Sequence, residues 1–235
     1  MRSLSKLFSI STVGALASVS VIMTGCNNFD NDSTPQNLPV AYVSIYNAIP
    51  DVGELDITVD NRPLNSGPVS FGDNTYYRNF YTGTRNFKVS PFRAGNILVD
   101  TTVALADGNA YSIFMADEAS RAQLIVTNDS AAVDEAGKGK IRLVNLSPDA
   151  APLSVRIKGS GSEIINNQAF KEASLFVELE PGTYDFEIIS ADSMAPVAVS
   201  QVELPSASVR TIVVSGYRQP PAGNTHVIAA EIVRN

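Results

Sequence analysis

From about residue 40 onward, apolar residues recur at every second position in short runs. Val43 and Ile45, then Leu55, Ile57 and Val59, then Leu175, Val177 and Leu179, then Phe186 and Ile188 alternate with polar neighbours. A period of two is the mark of a strand with one buried face. The runs are separated by PDVG, DNRP, YTGT, ADGN, SPDA, EPGT and QPPAGN, which carry the Gly, Pro, Asn and Asp that turn geometry demands. Helical spacing is scarce, and SAAVDEAGKGK at 130–140 reads as a connector. About seven short strands in each hundred residues predict an immunoglobulin-like β-sandwich.

The pattern also repeats. YNAIPD at 46–51 returns as VNLSPD at 144–149. Val43, Ile45, Leu55, Ile57 and Val59 fall in register with Ile141, Leu143, Leu153, Val155 and Ile157. Further on, Phe87, Val89, Val103 and Leu105 meet Phe186, Ile188, Val202 and Leu204. The expectation is therefore an all-β chain with two tandem immunoglobulin-like β-sandwich domains, 39–129 and 140–235, joined by a connector at 130–139. Within LADGNAYSIF at 105–114, Asp-x-x-x-Tyr resembles the tyrosine corner of sandwich folds, with the corner at Tyr111. The second copy has Arg210 at that position.

The first 25 residues are of another kind. Arg2 and Lys6 precede an apolar, Ser-studded stretch, Leu7 to Thr24, that ends in small residues before Cys26, the pattern of a secretory leader. The stretch also reaches the lower limit for crossing a bilayer, roughly 17 residues, so an uncleaved anchor is the competing reading. Met23-Thr24-Gly25-Cys26 resembles the lipobox of bacterial lipoproteins. The resemblance implies cleavage after Gly25 and acyl chains on Cys26 that attach the protein to a membrane. A lone cysteine in an exported chain needs such a reason. Residues 26–38, rich in Asn, Asp, Ser and Pro, read as a flexible tether. Asn27 is not the Asp that holds enterobacterial lipoproteins at the inner membrane, which points to the outer membrane in a Gram-negative cell. A net charge of −7 excludes the basic footprint that nucleic acid requires.

A wider resemblance rests on Ile141 to Pro152, on Pro181 to Phe186 and on Tyr111 to Phe114. These segments are similar to the bacterial family of unknown function DUF4397, typical of secreted and lipid-anchored envelope proteins, in two copies. The resemblance implies a β-sandwich and no particular activity.

Candidate chemistry is sparse. In both copies of Asn-x-x-Pro-Asp the Asn side chain can bind backbone amides two or three residues on, Pro fixes φ, and Asp can close the turn. Asn47, Pro50, Asp51, Asn145, Pro148 and Asp149 thus read as a structural corner. His226 is the only histidine, placed in the expected last strand, so no catalytic residues and no histidine metal cluster are assigned. Asp51, Glu54 and Asp56 could serve calcium, but the second copy has Asp149, Pro152 and Ser154 there. No cofactor is expected. In NTYYRNFYTGTRNF at 74–87, register with the second copy places Tyr77 and Tyr81 outward on one strand, with Arg78 and Arg85 nearby. Exposed aromatics and arginines of this kind stack on a sugar ring or anchor a protein. The functional expectation is a non-catalytic, lipid-anchored envelope protein for surface recognition, adhesion or structure. The alternative is a carbohydrate-binding lipoprotein that uses this aromatic face.

Overall fold

The computed structural model describes residues 38–130, 137–192 and 197–235. The leader, Cys26, nearly all of the tether and the middle of the connector lie outside the described residues. The first half of the fold holds β1 (Val40–Asn47), β2 (Glu54–Val59), β3 (Arg62–Pro63), β4 (Val69–Ser70), β5 (Arg78–Tyr81), β6 (Gly83–Pro91), β7 (Val99–Leu105), β8 (Ala110–Ala116) and β9 (Gln123–Asn128). The second half holds β10 (Gly139–Asn145), β11 (Leu153–Ile157), β12 (Glu163–Gln168), β13 (Val177–Leu179), β14 (Gly182–Ser190), β15 (Val197–Leu204), β16 (Val209–Ser215) and β17 (Ala229–Arg234). The only helical element among the described residues is a 3-10 turn at Ala119–Arg121.

The halves build their sheets in the same order. One sheet of the first half runs β5-β1-β8-β9 and the other β3-β2-β6-β7, with β4 also paired to β2. The second half answers with β13-β10-β16-β17 and β12-β11-β14-β15. All pairings between these strands are antiparallel except β1 with β8 and β10 with β16. Within the first half, Val43, Ile45, Ile113 and Met115 of one sheet pack on Leu55, Ile57, Phe87 and Val89 of the other. In the second, Ile141, Leu143, Ile212 and Val214 pack on Leu153, Val155, Phe186 and Ile188.

A third apolar core joins the halves. Tyr46, Ala48, Phe114 and Ala116 meet Val144, Leu146, Val213 and Val233, all buried. The parallel pairs are therefore covered on both faces, as parallel strands usually are. That explains why AYSIFMA of β8 is buried along nearly its whole length instead of alternating. Burying one large apolar side chain is worth about 1.5–3 kcal/mol, so this seam contributes to stability as each sandwich core does. Leu38–Asn235 accordingly forms one compact unit.

Tyr111 makes the corner its spacing suggested: its hydroxyl accepts a hydrogen bond from the amide of Ala106, five residues upstream, at 3.1 Å. Two placements differ from the register argument. Leu175 is 89% exposed, because it lies in the irregular segment before β13 and not on the strand. His226 precedes β17, and its ring packs on Phe71 with centroids 4.2 Å apart.

Candidate functional site

The repeated Asn anchors a corner in the same way in both halves. Asn47 is fully buried. Its Oδ1 accepts from the amide of Ile49 at 3.0 Å, and its Nδ2 donates to the carbonyl of Val69 at 3.1 Å. Asn145 repeats this with the amide of Ser147 at 3.2 Å and the carbonyl of Gln168 at 3.1 Å. The aspartates do something other than close the local turn. Asp51 accepts from the amide of Ala119 at 2.8 Å, and Asp149 from the amides of Arg218 and Gln219 at 2.6 and 2.8 Å. Each carboxylate ties the corner to the segment that follows the neighbouring parallel strand. The Pro50 carbonyl accepts from Asn224 of the second half at 2.7 Å, and Pro148 is half-buried.

Tyr77 and Tyr81 do not share an outward face. Tyr77 lies just ahead of β5, where it turns toward the second half, and its hydroxyl donates to Asp129 at 2.6 Å. Burial, then the charge of Asp129, pushes its pKa up to about 12. Asp129 also accepts from Ser112 at 2.6 Å and pairs with Arg142 of the second half, Nη2 to Oδ1, at 2.6 Å. Arg142 donates through Nε to Thr211 at 2.9 Å and sits over the ring of Phe176 at 4.6 Å. Phe176 is the register partner of Tyr77, so the two rings flank one buried ion pair. The register argument missed this because it assigned these positions to solvent, whereas a second sandwich occupies the space.

Tyr81, 63% exposed, does lie on an open surface. It lines a cleft of about 470 Å3 with Asn79, Phe80, Arg85, Asp60, Arg62 and Leu64. Phe80 of β5 turns the other way and packs on the core. Arg85 pairs with Asp60 at 3.0 Å. The Asn86 amide, then the Arg85 side chain, holds the Asp60 carboxyl below its ordinary value. Asp60 and Asn61 form a tight hairpin turn, both with positive φ, 49° and 61°. Arg78 is exposed beside the cleft and donates to the carbonyl of Leu64 at 2.9 Å. Of the four residues expected to bind, Tyr81 and Arg85 come together, Arg78 borders them and Tyr77 belongs elsewhere. Asp60, Arg62 and Asn79 escaped the sequence reading; the DNRP turn was its only trace of the first two, and Asn79 lay unremarked within the stretch at 74–87.

Asp56, raised above as a calcium ligand, accepts from the Arg93 amide at 2.8 Å. Among the described residues no group of three or more His, Cys, Asp or Glu is placed to hold a metal ion. A face with one exposed ring and fixed polar groups can stack on a flat apolar surface and hydrogen-bond around its rim.

No curated protein matches this sequence. Among solved structures, the C-terminal domain of AlgF from P. aeruginosa is similar over 42% of this chain and 99% of its own, at 16% identity and a TM-score of 0.33. A streptococcal virulence factor described for alpha-glucan binding covers 74% of this chain and 92% of its own, at 10% identity and a TM-score of 0.24. The module CBMbc (family CBM26) from Eubacterium rectale Amy13K, solved in complex with maltoheptaose, covers 83% and 97%, at 10% identity and a TM-score of 0.26. Scores this low say nothing about what this chain binds. The family model described as "Domain of unknown function (DUF4397)" matches residues 41–156. That match takes in the first half and the opening strands of the second.

Proposed function

We propose that this chain is a non-catalytic binding protein of the cell envelope, held at the outer membrane by acyl chains on Cys26. Its two halves, 39–129 and 140–235, are copies of one sandwich joined at 130–139. Its recognition surface is the cleft of Tyr81, and its ligand is a neutral glycan, with an envelope protein as the alternative partner. The observation that carries this is the exposed Tyr81 ring beside the fixed Asp60–Arg85 pair and Asn79. A sugar ring offers an apolar face to the tyrosine and hydroxyls to the rim. The non-catalytic reading is supported by what the acidic groups already do: Asp51, Asp149 and Asp56 accept from backbone amides, and Asp129 serves Tyr77, Ser112 and Arg142.

The test is a glycan array probed with the full chain in non-ionic detergent. A wild-type signal that Tyr81→Ala loses while its circular dichroism is unchanged supports the reading. An array on which wild type and Tyr81→Ala give the same pattern removes the cleft as the site. Labelling with a palmitate analogue that persists in Cys26→Ser would defeat the anchor.

A further inference from the structure

The two halves differ most tellingly at the corner that Tyr111 closes. In the first half Tyr111 lies opposite Asn128 across β8 and β9, and its hydroxyl is bound to the Ala106 amide. In the second, the equivalent strands place Arg210 directly opposite Arg234. Like charges facing one another across a strand pair are destabilising. Arg210 stands on the central strand β16 and is half-buried, so solvent screens it only in part. No carboxylate of the described residues forms an ion pair with either guanidinium. Burial, then the charge of Arg234, holds the Arg210 guanidinium below its ordinary value, and exposed Glu203 opposes this only in part.

The wall opposite the two arginines is also altered. Strand β15 carries a bulge: the register with β14 slips between Tyr184 and Phe186. Two residues of β15, Ser200 and Gln201, thereby stand opposite the single residue Asp185, one more than regular pairing places there. Gln201 takes a left-handed φ of 57° and donates its amide to Asp185 at 2.8 Å. The corresponding pair in the first half, β6 with β7, has unbroken register. Bulges of this kind gather beside functional sites, and a non-glycine residue at positive φ is retained against strain. Ser200, Gln201 and Glu203 from β15, with Arg210, Ile232 and Arg234, line a cleft of about 370 Å3.

We infer that this cleft, between β15 and the Arg210–Arg234 pair, is an oxyanion-binding site for the phosphate or carboxylate of an acidic ligand. An anion placed between the guanidiniums converts a repulsive pair into two charge-assisted contacts, and exposed Ser200 lines the same cleft. The site is independent of the Tyr81 cleft, and either can fail without the other.

The experiment is isothermal titration of the full chain in non-ionic detergent with inorganic phosphate and, separately, with galacturonate, chloride being varied to keep ionic strength constant. Saturable binding of either probe is expected. It should weaken roughly tenfold or more in Arg234→Gln, the loss expected of one charge-assisted hydrogen bond. Arg210→Tyr, which installs the residue of the first half, should remove binding while the circular dichroism stays that of wild type. Arg234 is exposed, so its replacement tests the site even if the Arg210 variant misfolds. Phosphate alone binding assigns a phosphate-bearing ligand, galacturonate alone an acidic sugar, and both a general oxyanion site. Failure of wild type to bind either probe, or undiminished affinity in Arg234→Gln, overturns the inference.

Discussion

Replacing Asn47 with alanine removes two hydrogen bonds from a fully buried side chain and supplies nothing in their place. The amide of Ile49 and the carbonyl of Val69 then lose partners at 3.0 and 3.1 Å. A buried polar group left unsatisfied costs roughly 1–3 kcal/mol, so the pair should cost about 2–6 kcal/mol. Against a total stability of about 5–15 kcal/mol that is a large fraction. Asn145→Ala should do the same through Ser147 and Gln168, at the lower end, because its bond to Gln168 is only partly buried. The measurement is equilibrium urea unfolding followed by far-ultraviolet circular dichroism, suited to a chain with no tryptophan. Asn47→Asp sharpens it. The carboxylate keeps the acceptor for Ile49 but turns an oxygen toward the Val69 carbonyl, so stability should fall at neutral pH and partly recover in acid, where a protonated carboxyl can donate. If Asn47→Ala unfolds within about 0.5 kcal/mol of wild type, a surface-like effect, the corner is not structural and the reasoning fails.

Two further outcomes follow from contacts between the halves. Asp129→Leu leaves Arg142 charged, buried and unpaired, which should cost about 3–5 kcal/mol, whereas Asp129→Leu with Arg142→Met should recover the part due to the uncompensated charge and keep only the loss of the Tyr77 and Ser112 hydrogen bonds; urea unfolding of the single and double variants decides, and equal losses in both would contradict the pairing. Asp117 of the first half is buried and bonded to Lys171 of the second at 2.6 Å. Burial alone would raise its carboxyl, but the Lys171 hydrogen bond, the Glu118 amide and the charges of Lys171 and Arg121 outweigh it and hold the value below 3.8. A carboxyl depressed on folding adds stability that is full above its unfolded value and is lost as pH falls through the folded one. Stability should therefore drop below about pH 3.8, and Lys171→Met should flatten that limb of the pH profile; an unchanged limb would remove Lys171 as the cause.

The sandwich architecture was legible because one face of most strands meets a core and the other meets water. Leu55, Ile57, Phe186 and Ile188 carry that alternation openly. The seam was not legible, for the same reason: Tyr46, Phe114, Val144 and Val213 occupy the faces that alternation assigns to solvent, yet all four are buried. A run such as SIFMA in β8 was the available sign, since a strand buried on both faces stops alternating. Tyr77 was misplaced by the same assumption. The Arg210 difference was visible as a departure at the Tyr111 position, but its meaning needed Arg234, 24 positions on in the sequence and brought opposite only by strand pairing.

The doubly covered inner sheets also restrict where a ligand can sit. With β1, β8, β10 and β16 buried on both faces, the lateral edges of the sandwiches are the open ground on which both clefts lie. The first runs between edge strands β3 and β5, the second between edge strands β15 and β17. Edge strands carry charge in any case, because charge discourages pairing with other chains. Exposed Arg62 and Arg78 are adequately explained by that need alone. Arg210 is not: it belongs to a central strand, is half-buried, faces a second arginine and lies across from a bulge that its counterpart strand lacks. Protection of an edge accounts for the bulge on edge strand β15 but not for two arginines set opposite one another, whereas capture of an anion accounts for both. The second cleft therefore asks for a ligand more insistently than the aromatic one, and phosphate titration of Arg234→Gln is the sharper experiment.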